Sequence, residues 1–141
     1  MSDTDNHQPA RALRQPHLLH EGPPLTLRGH RCTGCDRVFF PPDPFACERC
    51  GAGLDQLEEI ALTAAGTIRA AATVHRHHHP TPPTPFTVAV IELDEGPVLK
   101  SMVIDASNAD VGARVCGVLV DSAIEEGTAD LRFKLADGGA A

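Results

Sequence analysis

Cys32 and Cys35, then Cys47 and Cys50, form two pairs with two residues inside each pair and eleven between them. Two residues between thiolates let one tight turn present both sulfurs to a single ion, with backbone N–H groups aimed at the sulfurs. Two such turns complete a tetrahedron. Zn²⁺ fits this donor set, because it has no ligand-field preference and favours thiolate; iron in a rubredoxin-like site is the alternative occupant. With all four positions held by Cys, no coordination site is open to substrate, and the expected zinc is structural. The segment is too short to bury a core of its own, so metal binding would supply most of its folding energy. The residue after each pair is expected in a left-handed turn, which Gly51 adopts without strain and Asp36 tolerates.

The rest of the composition narrows the functional classes. Lys plus Arg is 12 against 19 Asp plus Glu, a net charge of −7. That field repels phosphate backbones, and the basic residues do not bunch against it. Arg28, Arg31, Arg37 and Arg49 form only a loose set around the Cys pairs, a candidate for greeting one small anion. Aromatic residues are 4%, with neither Trp nor Tyr, so the core must be aliphatic and base-stacking platforms are scarce. No apolar run has the length of a membrane span, and the N-terminal residues lack the apolar centre of a signal peptide. The expectation is a cytoplasmic protein, where thiols stay reduced and paired Cys indicate metal over disulfide.

Composition shifts divide the chain into a flexible N-terminal arm (1–22), a zinc ribbon (23–55), a β domain (56–136) and a flexible tail (137–141). A helical turn is expected in the arm at 10–15. In the β domain, strands are read at 65–77, 86–93, 98–105, 113–124 and 129–136. Pro-rich 78–85 cannot pair in a sheet, and "DEGP" reads as a hairpin turn with Gly96 at positive φ. A capped helical turn is expected at 107–112. Five strands with a short helical element between the third and fourth predict an oligonucleotide/oligosaccharide-binding (OB) barrel, with a five-stranded sandwich fragment as the alternative. The fold class is therefore mainly β: a rubredoxin-like four-Cys zinc ribbon followed by a five-stranded OB barrel.

Other chemistry-bearing residues have plainer readings. Cys116 stands alone on a strand with no local base, and is read as a core residue. In the His75–His79 run, strand alternation would send His75, His77 and His79 to one side. The run leads into the Pro-rich loop and reads as a solvated strand end. Of Phe39 and Phe40, one is expected to cover the sulfurs. There is no phosphate loop and no nucleophile elbow, and the acids cluster in no motif. No catalytic residue is assigned.

The order of a four-Cys ribbon and an OB barrel resembles the zinc-ribbon plus OB-fold family associated with acyl-CoA metabolism. The matching stretches are "RCTGCDRVFFPP", "CERCG", "AAGTIRAAATVHR", "PFTVAVIELDEGPVLKSMV" and "DVGARVCGVLVD". One departure is that "LLHEGPPLTLRGH" is Pro-broken where many members carry an aromatic-containing helix. The resemblance implies a non-catalytic accessory subunit of a thiolase-type enzyme that makes or breaks a carbon–carbon bond in an aromatic, steroid or ketoacyl-CoA. The partner would supply the catalytic groups, in a heterotetramer, and CoA or acyl-CoA would be a shared ligand. Cys32, Cys35, Cys47 and Cys50 carry over as metal ligands, and Arg37, Phe40, Arg69 and Arg76 are candidate CoA contacts. The alternatives are a partner of a hot-dog-fold enoyl-CoA hydratase, a single-stranded nucleic-acid-binding OB protein, and an iron-loaded electron carrier.

Overall fold

Strand follows strand along the chain, as its alternating and β-branched segments require. The computed structural model describes residues 12–20, 22, 24–41, 45–78, 83–104 and 110–136. In chain order the strands are β1 (Ala12–Leu13), β2 (Leu19–His20), β3 (Thr26–Cys32), β4 (Val38–Phe39), β5 (Leu57–Thr63), β6 (Ala65–Val74), β7 (Phe86–Leu93), β8 (Val98–Ile104), β9 (Arg114–Asp121) and β10 (Thr128–Leu135). Single 3-10 turns occupy Pro16–Leu18 and Leu54–Gln56.

Strands β6 to β10 close a five-stranded barrel. Antiparallel pairs join β6 to β7, β7 to β8, β9 to β10 and β6 to β9, while β8 and β10 run parallel. This order is that of an OB barrel. The alternation is cleanest in β7, where Thr87, Ala89, Ile91 and Leu93 are buried and the residues between them are partly exposed. Gly66 sits where the wall is tightest. A Cβ there would lie 2.4 Å from the Glu92 carbonyl oxygen, a clash no side-chain motion relieves. The β7–β8 turn has Gly96 at φ 117°, as the sequence predicts. It is pinned on both sides: Arg114 reaches Asp94 through two hydrogen bonds of 2.6 and 2.9 Å, and the Thr63 N–H donates to Glu95 at 2.9 Å.

The ribbon strands form a second sheet. Strand β3 pairs with β5 along its whole length, from Thr26↔Thr63 to Cys32↔Leu57, and also with β2 and β4. The boundary read at residue 56 therefore falls just ahead of a strand that hydrogen-bonds into the ribbon. Leu19, Leu27 and Leu62 from this sheet are buried with Ile68, Ile91, Leu93, Val103, Val115 and Phe133 of the barrel. Ribbon and barrel share one core. Cys32, Phe39 and Cys47 form a smaller apolar cluster beside it.

Several sequence expectations shift. Residues 12–13, inside the helical turn expected at 10–15, are a strand paired in parallel with the start of β10, Ala12↔Thr128 and Leu13↔Ala129. Residues 12–20 thus bridge the two sheets. The strand read at 65–77 ends at Val74, so the alternation expected of His75–His79 has no strand to act on. The helical turn expected at 107–112 lies partly outside the described residues, and Val111–Gly112 is a turn with Gly112 at φ 96°. The tail, 137–141, and His79 also lie outside them.

Candidate metal centre and its surroundings

The two Cys turns are built on the same backbone pattern. In the first, the Asp36 N–H donates to Cys32 O at 2.7 Å and the Cys32 N–H donates to Arg37 O at 2.9 Å. In the second, the Gly51 N–H donates to Cys47 O at 3.0 Å and the Cys47 N–H donates to Ala52 O at 2.8 Å. The residue after each pair has positive φ, 66° at Asp36 and 77° at Gly51, as the spacing predicts. The first turn grows from the end of β3. The second is held by the bridge between Ala46 and Gly53.

All four sulfurs lie within 4.8 Å of one another. The Cys32–Cys50 sulfurs are 3.7 Å apart and the Cys35–Cys47 sulfurs 3.8 Å. Such separations are far too long for disulfides. A tetrahedron with Zn–S bonds of about 2.3 Å has edges of about 3.8 Å, which these two separations match. The N–H groups of Arg49 and Cys50 point at the Cys47 sulfur, 3.3 and 3.4 Å away. These two donors, the Cys50 N–H foremost, lower the Cys47 thiol to about 6 in the metal-free site. The donor set, its size and its N–H contacts all fit a structural zinc, and Phe39 seals its inner side. Phe39 is the phenylalanine the sequence expects over the sulfurs.

Three of the four arginines around the site are engaged. Arg28 pairs with Glu59 at 2.8 Å, Arg31 with Glu58 at 2.8 Å and Asp36 at 2.7 Å, and Arg37 with Glu48 at 2.7 Å. The loose Arg set expected to greet an anion is instead, for these three, cross-strand and inter-turn ion pairs. The candidate CoA contacts do not converge either. Arg37 and Phe40 line one cleft of about 320 Å³ beside Gly96 and Val98. Arg69 lies on β6, paired with Glu92 at 2.7 Å, and Arg76 lies beyond the end of that strand. Phe40 is half-buried and packs on the rim of the shared core. Cys116 is half-buried on β9, between Ala65 and Lys134.

Sequence reasoning missed two features. Phe45, 79% exposed, stands out from the ribbon, and only its place in the fold distinguishes it from Phe39. Asp130 is the other: its side chain is 2% exposed and its partner is Arg14, 2.5 Å away, from the N-terminal segment. No local signal links two residues so distant in the chain. Among the described residues, the four Cys are the one His/Cys/Asp/Glu cluster placed to hold a metal, and no helix is long and apolar enough to cross a membrane.

Fold and site together define a class of protein, a four-thiolate zinc ribbon seated on an OB barrel. Residues 21–57 match the ChsH2 rubredoxin-like zinc ribbon domain, and residues 59–120 match the ChsH2 C-terminal OB-fold domain. The chain belongs to this zinc-ribbon plus OB-fold family. It is 31% identical over 86 residues to a DUF35 domain-containing scaffold protein of Methanocaldococcus jannaschii, a match spanning 60% of this chain and 60% of that protein. Among solved structures it resembles a chain of an Ltp2-ChsH2(DUF35) aldolase, with a TM-score of 0.65 and 22% identity, over 78% of this chain and 84% of that one. It also resembles a DUF35-family protein of unknown function from Sulfolobus solfataricus, with a TM-score of 0.51 and 22% identity, over 79% and 76% of the two chains.

Proposed function

We propose that this chain is a non-catalytic accessory subunit of a thiolase-type enzyme acting on an acyl-CoA, where it holds the partner and helps admit the CoA thioester. The observation that carries the reading is the presence of both family domains, in order, across residues 21–120. The solved relative named as part of an aldolase assembly, and the scaffold name of the archaeal one, support it. So does the chemistry of the site: a four-Cys zinc centre has no coordination position open to a substrate.

The surface agrees with assembly. Strand β6 runs on past its pairing with β9, and Arg69 to Thr73 are all exposed. There Ala70, Ala72, Val88 and Val90 line a shallow apolar trough of about 190 Å³, a surface of the kind a partner covers. The nucleic-acid reading loses its platform, because Phe133 is fully buried and Phe86 is half-buried. Within the proposal, Arg76 is the candidate contact free to meet a CoA phosphate, since Arg37 and Arg69 are engaged with Glu48 and Glu92.

The experiment is coexpression with thiolase-fold proteins of the same organism, followed by purification through a tag on either chain. Stoichiometric copurification, with partner activity lost when this chain is omitted, is the expected result. Copurification with a hot-dog-fold hydratase would keep the acyl-CoA role and change the reaction. Isolation alone, with no effect on either enzyme, would refute the proposal.

A further inference from the structure

The barrel closes through one short seam. Strands β8 and β10 pair only at Phe133↔Val103 and Lys134↔Ile104. Below that point they part, and β1 takes over the side of β10 at Thr128 and Ala129. Between the two pairings, Asp130 to Arg132 have no strand beside them on that side among the described residues. Nearby side chains turn back onto backbone carbonyls instead: the Arg132 Nη1 donates to Leu131 O at 2.8 Å and the Ser101 Oγ donates to Met102 O at 3.2 Å.

The parting opens a cleft of about 470 Å³, within the size range of small-molecule sites. Three parts of the chain wall it: Leu18 from the N-terminal segment, Phe40 and Pro41 from the ribbon, and Met102 and Leu131 from the barrel. These five side chains are apolar, and the uncharged polar residues Gln15 and Ser101 line the cleft beside them. The charged residues lining it are Lys100 and Arg132, with no carboxylate. In a chain of net charge −7, in which Arg28, Arg31 and Arg37 near the ribbon are each matched to an acid, that is a local reversal of sign. Arg132 is itself only loosely compensated. Its Nη2 lies 3.6 Å from the Asp130 Oδ2, beyond hydrogen-bond distance, and that oxygen has no hydrogen-bond partner.

We propose that this cleft binds a small amphiphilic anion, an apolar chain of several carbons ending in a carboxylate or a phosphate. Lys100 and Arg132 take the head group, and Leu18, Phe40, Met102 and Leu131 take the chain. The site is distinct from the Arg76 contact and lies wholly within this polypeptide, so it does not depend on which enzyme is the partner.

The test uses the zinc-loaded full chain, labelled with ¹⁵N and titrated at low salt with octanoate, octyl phosphate or octanol. Amide shifts centred on residues 99–102 and 131–132, with either anion binding at least about tenfold more tightly than octanol, are expected. The two anions identify which head group the site takes. Met102→Trp, which fills the cleft, removes binding, and Lys100→Gln weakens it about fivefold or more without altering the fold, since Lys100 is exposed. Arg132→Gln has the same expected effect, and where it disturbs Asp130 the Lys100 variant decides. No shifts, shifts elsewhere, or octanol binding as well as the anions would overturn the proposal. The partner reading would survive that outcome, because copurification tests it separately.

Discussion

The residue that best shows how sequence becomes chemistry is Cys47. Its spacing from Cys50 lets two backbone N–H groups converge on its sulfur, and the same backbone turn recurs at Cys32. That much was legible, because a thiol pair with two intervening residues admits few turn conformations. The difference between the two sulfurs of the second pair was not. Cys50 has one N–H donor of its own, from Ala52, which lowers its pKa, but the crowding of Cys32, burial and the other sulfurs outweigh it and raise the thiol to about 11. Cys47 therefore carries the first negative charge of the empty site. Its folded pKa lies below the ordinary 9.0, so its contribution is fully present above that value and is lost as pH falls through about 6. Bound zinc holds the thiolates ionised further still. Because each proton taken up by a thiolate opposes the metal, zinc release is expected to be driven by acid and to occur at higher pH in Cys50→Ser than in the parent chain, read with a chromogenic chelator. Release from the parent at neutral pH would mean the site is not a closed tetrathiolate.

At the scale of elements, long alternating strands were readable and short or charged ones were not. Strand β7 was expected at 86–93 and found at Phe86–Leu93, because every second residue of it is buried. Strand β5 reads "LEEIALT", which resembles a solvated edge. Its acids are in fact the cross-strand partners of Arg28 and Arg31 on β3. Strand β1 has two residues and no period to detect. Its register comes from distant partners: the Arg14 N–H donates to Ala129 O at 3.0 Å, and the Arg14 guanidinium meets buried Asp130. Removing one member of a buried ion pair typically costs about 3–5 kcal/mol, because the other charge is stranded. Arg132 stays nearby and moderates the loss. Arg14→Gln is thus expected to destabilise the chain by about 2–3 kcal/mol in urea unfolding. The double variant Arg14→Gln/Asp130→Asn should recover part of that loss. A single variant within about 0.5 kcal/mol of the parent would mean that β1 is not held by this pair.

At the scale of the molecule, the sequence divides into a ribbon and a barrel, but the core does not respect the division. Leu27 and Leu62 are fully buried against barrel residues, Leu19 joins them from the N-terminal segment, and Gly29 lets Leu62 lie close enough that any Cβ there would touch it at 2.6 Å. The joint was invisible in the sequence because it depends on which side each ribbon strand turns, and a β3–β5 pair can turn either way until the zinc turn and the barrel fix it. A metal that folds the ribbon therefore also completes the wall over one end of the barrel core. Stripping zinc should act beyond the ribbon. The zinc-loaded chain is expected to unfold in one cooperative calorimetric transition. The metal-free chain should show a barrel transition lowered by several degrees, because the ribbon leucines no longer complete the core they share with the barrel. Amide exchange resolves the alternative: with zinc removed, protection should fall in β6 and β10 as well as in β3 and β5. Protection lost from β3 and β5 alone, with the barrel transition unmoved, would show two independent domains in contact, and the shared core would then be a packing surface with no part in cooperativity.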